Sequence, residues 1–165
     1  DSLLQAQDLF ERALRLRPDA PGNYVVEHNL GRIAMARGQW REAVNRLDKV
    51  LQSQPSMADA REDRAACYLQ LAMFDRAIRD YDNLLLQHPH DPHLLLLKAV
   101  ALTQAAAPYD ALDIVDSIIA EHPDNAEAYL LRAEIHLGLK QPGYARRDIK
   151  LAAPHGPPDL PLIHS

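Results

Sequence analysis

Residues 40–55, WREAVNRLDKVLQSQP, and residues 74–89, FDRAIRDYDNLLLQHP, follow one plan. Each opens on an aromatic residue, has alanine at the fourth place and a large apolar residue at the eighth, and ends on proline. The offset is 34 residues, and it continues outward. Pro55, Pro89, Pro123 and Pro157 form one column and Ala43, Ala77, Ala111 and Ala145 a second, while a third is small throughout, with Gly31, Ala65, Ala99 and Ala133. Proline lacks the amide hydrogen and clashes with the preceding turn, so at a constant period it marks a recurring helix end. Pro18 stands 37 residues before Pro55, so the ruler carries three extra residues around Pro21-Gly22.

Within each copy the apolar spacing is helical. Ala65, Tyr68, Leu69 and Ala72 lie on one face; Phe74, Ala77, Ile78, Tyr81, Leu84 and Leu85 then follow at i, i+3, i+4, i+7 spacing. Ala72-Met73-Phe74 leaves room only for a tight turn. Arg37-Gly38-Gln39-Trp40 fills the same place one copy earlier, with glycine free to take a left-handed helix end. Pro108 and Pro142 suit a first helical position, where the missing donor costs nothing. The expected helices are 24–37 and 40–53, 58–71 and 75–87, 92–105 and 109–121, 126–139 and 142–153. Residues 2–17 match only the second helix of a copy, which suggests that an upstream part was cut away.

The pattern resembles the tetratricopeptide repeat, a 34-residue helix–turn–helix unit. Leu30-Gly31, Gly38, Trp40, Ala43 and Pro55 carry the resemblance in the first copy; Ala65, Tyr68, Phe74, Ala77, Tyr81 and Pro89 carry it in the second. The later copies depart with Pro108 and Pro142, and with Leu102 and His136 where Tyr68 stands. A lone helical hairpin cannot bury both apolar faces, so copies stack and share a core. The expected fold is all-α: a right-handed superhelical α-solenoid of stacked antiparallel helix pairs. The solenoid covers 1–153, with a half repeat at 1–18 and repeats at 24–57, 58–91, 92–125 and 126–159. Residues 154–165, PHGPPDLPLIHS, read as a proline-rich extended tail. Its Pro158-Asp159-Leu160-Pro161 is a weak PxxP match.

Composition narrows the function. Hydrophobic residues make up 47% and charged residues 25% of the 165, the balance of a soluble chain that folds. No stretch of 18 apolar residues is present and no signal peptide is visible, so direct membrane insertion is not expected and the compartment stays open. The net charge of −5 argues against a phosphate-contacting surface for nucleic acid. The negative charge concentrates in the middle, with −3 over 58–91 and −4 over 92–125.

The resemblance assigns a concave face to the first helix of each copy. The candidate groove residues are His28, Asn29, Arg32, Asp59, Glu62, Asp63, His93, Leu96, Leu97, Val100, Gln104, Glu127, Leu130, Leu131 and Glu134. Leu96, Leu97, Leu130 and Leu131 read as an apolar shelf beside a carboxylate cluster; the alternative is that superhelical packing or a partner chain covers them. The best-known peptide mode of this family clamps a C-terminal carboxylate with lysine, arginine and asparagine. Asp63 at a matching site would repel one, so the expected ligand is a protein or peptide with basic and apolar residues.

The chemical signals are weak. His88-Pro89-His90-Asp91-Pro92-His93 matches no finger or zincin spacing, and loop histidines explain it, so no metal is expected. Cys67, alone in the sequence, reads as a small core residue, and His136 as a partly buried packing residue. The pairs Glu62-Asp63 and Asp80/Asp82 read as solvated faces. No phosphate loop, G-x-S-x-G or H-E-x-x-H occurs, so neither catalysis nor a cofactor is expected. The leading reading is a non-catalytic protein–protein interaction module with a peptide-binding groove. The alternatives are a scaffold or accessory segment of a larger enzyme or secretion assembly, and a spacer that self-associates through the N-terminal half repeat.

Overall fold

Every expected helix is present within one or two residues of its expected ends. A computed structural model describes residues 2–155. Among these are nine α-helices and no strand: α1 Ser2–Leu16, α2 Asn23–Ala36, α3 Trp40–Ser53, α4 Ala58–Gln70, α5 Phe74–Leu85, α6 Pro92–Gln104, α7 Pro108–Glu121, α8 Ala126–Gly138 and α9 Pro142–Ala152. The extended tail and the PxxP match fall, from residue 156 onward, outside the described residues.

Local chemistry sets the boundaries. Asp91 caps α6, its Oδ1 accepting from the His93 and Leu94 amides at 2.9 and 3.2 Å, with Pro92 at the first helical position. Asn125 caps α8 through the Ala128 amide at 3.0 Å. Each hairpin turns on one left-handed residue, and these again stand 34 apart: Gly38 (φ 70°), Ala72 (56°), Ala106 (60°) and Lys140 (59°). Two backbone bonds close each turn. In the second hairpin Ala72 donates to Leu69 O at 3.0 Å and Met73 to Tyr68 O at 2.8 Å; the other three repeat the pair. A non-glycine residue pays roughly 1–2 kcal/mol for this conformation, which the two bonds hold in place.

The chain divides between Leu84 and Leu85 into two compact units. In the first, Ala43, Leu47, Val50, Ala65, Cys67, Ala77 and Tyr81 are buried to 1% exposure or less. Gly31 is needed for close approach: a Cβ there would sit 3.2 Å from Leu47 Cγ. In the second, Leu96, Ala99, Ala111, Val115, Ile118, Ala128, Leu131 and Ile135 form the core. The alanine column is buried to within 1% at all four places, so helices there approach with no room for a longer side chain.

Ala77→Leu in the first unit and Ala111→Leu in the second are each expected to cost about 1–3 kcal/mol by overpacking. Urea unfolding measures it, and an unchanged midpoint in both would remove this column from the packing.

Candidate functional site

The first helices are α2, α4, α6 and α8, and each unit contributes two. In the first unit, α2 and α4 bring His28, Arg32 and Asp63 together. His28 Nε2 lies 2.8 Å from Asp63 Oδ2, and Arg32 Nε lies 3.8 Å from the same oxygen. Asp63 is therefore answered from within the chain, and Arg32 remains two-thirds exposed. Asn29 donates its side-chain amide to Val25 O at 2.8 Å. Asp59 is exposed and Glu62 half-buried.

In the second unit the expected shelf is corrected. Leu96 and Leu131 are each 8% exposed and belong to the core. Leu94, Leu96, Ala99 and Ala101 are all buried on α6, so this helix is apolar all round because neighbours cover more than one of its sides. Leu97, Val100 and Leu130 are half-buried, with Val100 packed against the core. His93, Gln104, Glu127 and Glu134 are exposed.

Two arginine clamps escaped the sequence reading. Arg64 Nε and one terminal nitrogen donate to the two oxygens of Asp80 at 2.9 and 2.7 Å, and the other nitrogen donates to Asp48 at 2.8 Å. Arg132 repeats this 68 residues on, with Asp148 at 3.0 and 2.7 Å and Asp116 at 2.7 Å. Asp80 and Asp148 are 4% and 2% exposed. Asp80 is thus no solvated face: a buried carboxylate needs such a fork. Hydrogen bonds to Asp80 and Asp148 push the two guanidinium pKa values up, against the opposing effect of burial. The signal was an arginine sixteen residues before an aspartate, in Arg64…Asp80 and Arg132…Asp148; copy three has Lys98…Ile114 instead.

The remaining reactive side chains are held in unreactive settings. Burial pushes the Cys67 thiol up to about 11, away from thiolate. His136 is half-buried, stacks on Tyr144 at 5.2 Å between centroids, and shares a 2.9 Å hydrogen bond between Nδ1 and Gln141 Oε1. This is the packing role expected of it. His90 Nδ1 lies 3.5 Å from Glu121 Oε1 on an exposed surface, and Asp91 is occupied as a cap. Among the described residues no three His, Cys, Asp or Glu side chains converge as metal ligands, and no helix is long and apolar enough to cross a membrane.

With the hairpin register in hand, comparison with known proteins is decisive. The tetratricopeptide repeat family model matches residues 2–56, 34–101 and 72–135 in overlapping spans. The chain belongs to the tetratricopeptide repeat family. Its repeats superpose on a tetratricopeptide repeat protein from Parabacteroides merdae with a TM-score of 0.84 at 24% identity, over 95% of this chain and 61% of that one. MamA from Desulfovibrio magneticus RS-1 matches at 0.72 and 14% identity, over 94% and 95%. YrrB, described as a tetratricopeptide repeat protein with an unusual peptide-binding site, matches at 0.75 and 16%, over 96% and 79%. No curated protein matches the sequence. The chain spans 61% of the length of the Parabacteroides protein. At these identities the likeness is one of fold: an all-α solenoid of helix pairs, a class that serves generally as a non-catalytic scaffold for protein–protein interaction.

Arg132→Leu would leave Asp148 buried without its fork, an expected loss of about 3–5 kcal/mol. The double variant Arg132→Leu/Asp148→Leu should recover most of it. Chemical denaturation of the pair tests the clamp; single and double variants of equal stability would dismiss it.

Proposed function

We propose that this tetratricopeptide repeat chain is a non-catalytic module that holds a partner segment on its first-helix faces. The observation that carries the reading is what those faces leave accessible. In the second unit the half-buried Leu130 shares α8 with the exposed Glu127 and Glu134, and the half-buried Leu97 stands on the preceding first helix, α6. Half-covered leucines retain apolar area to lose to a ligand, at roughly 25 cal/mol per Å². The neighbouring carboxylates favour a segment with basic residues. In the first unit the exposed Asp59 carries the same sign of charge, whereas Asp63 is already engaged by His28 and Arg32. Leu96 and Leu131 take no part, being core.

The two kinds of contact separate experimentally. With a basic–apolar partner segment selected from a peptide array, Glu127→Lys/Glu134→Lys should slow association and flatten its salt dependence, because surface charges act over about 8 Å at physiological salt. Leu97→Ala should speed dissociation instead, by about 2 kcal/mol if the leucine anchors the segment. Surface plasmon resonance reads both rates, and an affinity that survives both changes would place the binding elsewhere.

A second reading rests on α1, which has no buried residue and leaves Leu4, Leu9 and Leu16 exposed at 48, 65 and 73%. Self-association through this helix would cover them. Light scattering at high concentration should then show a dimer that Leu9→Glu/Leu16→Glu returns to monomer; a monomer throughout would end this reading.

A further inference from the structure

The repeat ruler breaks once, between Pro18 and Pro55, and a cavity of 620 Å³ lies at the break. Leu14 of α1, Pro18 and Pro21 of the connection and Tyr24 of α2 form apolar walls, and Arg15 and Lys49 stand among them. Two sequence differences build it. The step from the repeat proline to the matching place in the next helix is three residues longer here than in the other copies, and Tyr24 occupies that place where the others carry Ala58, Pro92 and Ala126. The walls are fixed in advance, since the Asn23 side-chain amide donates to both Arg17 O and Pro18 O at 2.8 Å and its backbone amide donates to Ala20 O at 3.0 Å. A preformed wall spares a ligand the entropy of ordering it.

The charge of the cavity decides the occupant. Arg15, Arg46 and Lys49 line it against a single acid, Glu27. Arg46 answers Glu27 at 3.1 Å and is also taken by Glu42 at 2.8 Å and Glu11 at 3.8 Å, so it is fully occupied within the protein. Lys49 stands 3.5 Å from the same Glu27 and is 58% exposed, and Arg15 has no acid partner among the described residues. The cations left accessible to a ligand are therefore Arg15 and Lys49, beside a Glu27 whose side chain is only 11% exposed. We infer that this cavity is a second binding site, sharing no residue with the candidate groove, for a partner segment that presents an apolar side chain flanked by carboxylates. Its preference is opposite in sign to that of the first-helix faces, so one partner could not exchange between the two.

The test uses the whole chain and two capped pentapeptides with leucine at the centre, one with glutamate and one with lysine at the four flanking places. In a nitrogen-15 NMR titration the glutamate peptide should saturably shift the amides of residues 14–24 and 46–53, while the lysine peptide leaves them in place. Arg15→Ala/Lys49→Ala should weaken the glutamate peptide about fivefold or more. Tyr24→Ala, which restores the residue of two other copies, should weaken it while the remaining spectrum keeps its folded dispersion. Equal shifts with both peptides, no saturable shift, shifts confined to other residues, or indifference to both variants would each overturn the site.

Discussion

The structure depends on how closely two helices can come together. Ala43, Ala77, Ala111 and Ala145 are closed off to within 1% of solvent, and Gly31 has a leucine where its Cβ would point. At such separations the large residues of the neighbouring column, Leu47, Tyr81 and Val115, have little room except between helices, and all are fully buried. In the fourth copy Ile149 is half-buried; in the first three, one geometric rule thus sets where bulk goes. It also explains the repeat's length: each hairpin must return to the same small-residue contact, and a changed count would place bulk against bulk.

Polar burial follows from the same closeness. An aspartate drawn into a helix interface needs a partner, and a bidentate arginine supplies it at Asp80 and Asp148. In the first copy the roles reverse: Glu27 is the buried acid, and Arg46 reaches it from α3 with Glu42 as a second partner. The Arg64 and Arg132 forks each tie one helix to two others, so they fix register as well as charge.

How much of this was legible in the sequence depends on distance along the chain. Helix ends were readable to within two residues, because prolines, caps and turns act locally on Pro92, Asp91 and Asn125. The fold was readable because its period repeats four times. Pairings across sixteen residues, such as Arg64 with Asp48 and Asp80, were not, since charged residues on a helix usually face water. Leu96 and Leu131 looked like a shelf because helical periodicity shows that a face is apolar but not how many neighbours cover it. The cavity at the broken ruler was signalled by the three extra residues and by Tyr24 in place of a small residue or proline, and its charge only by where Arg15 and Lys49 came to rest.

The left-handed residue at each hairpin tip has a wider implication. Glycine, two alanines and a lysine occupy equivalent turns, all exposed, under the same two backbone bonds. The main chain, not the side chain, specifies the corner. Each hairpin therefore carries one outward position whose identity is free of the demands of the stack. Selection can write there without rewriting the core, and so can a chemist attaching a dye or a tether.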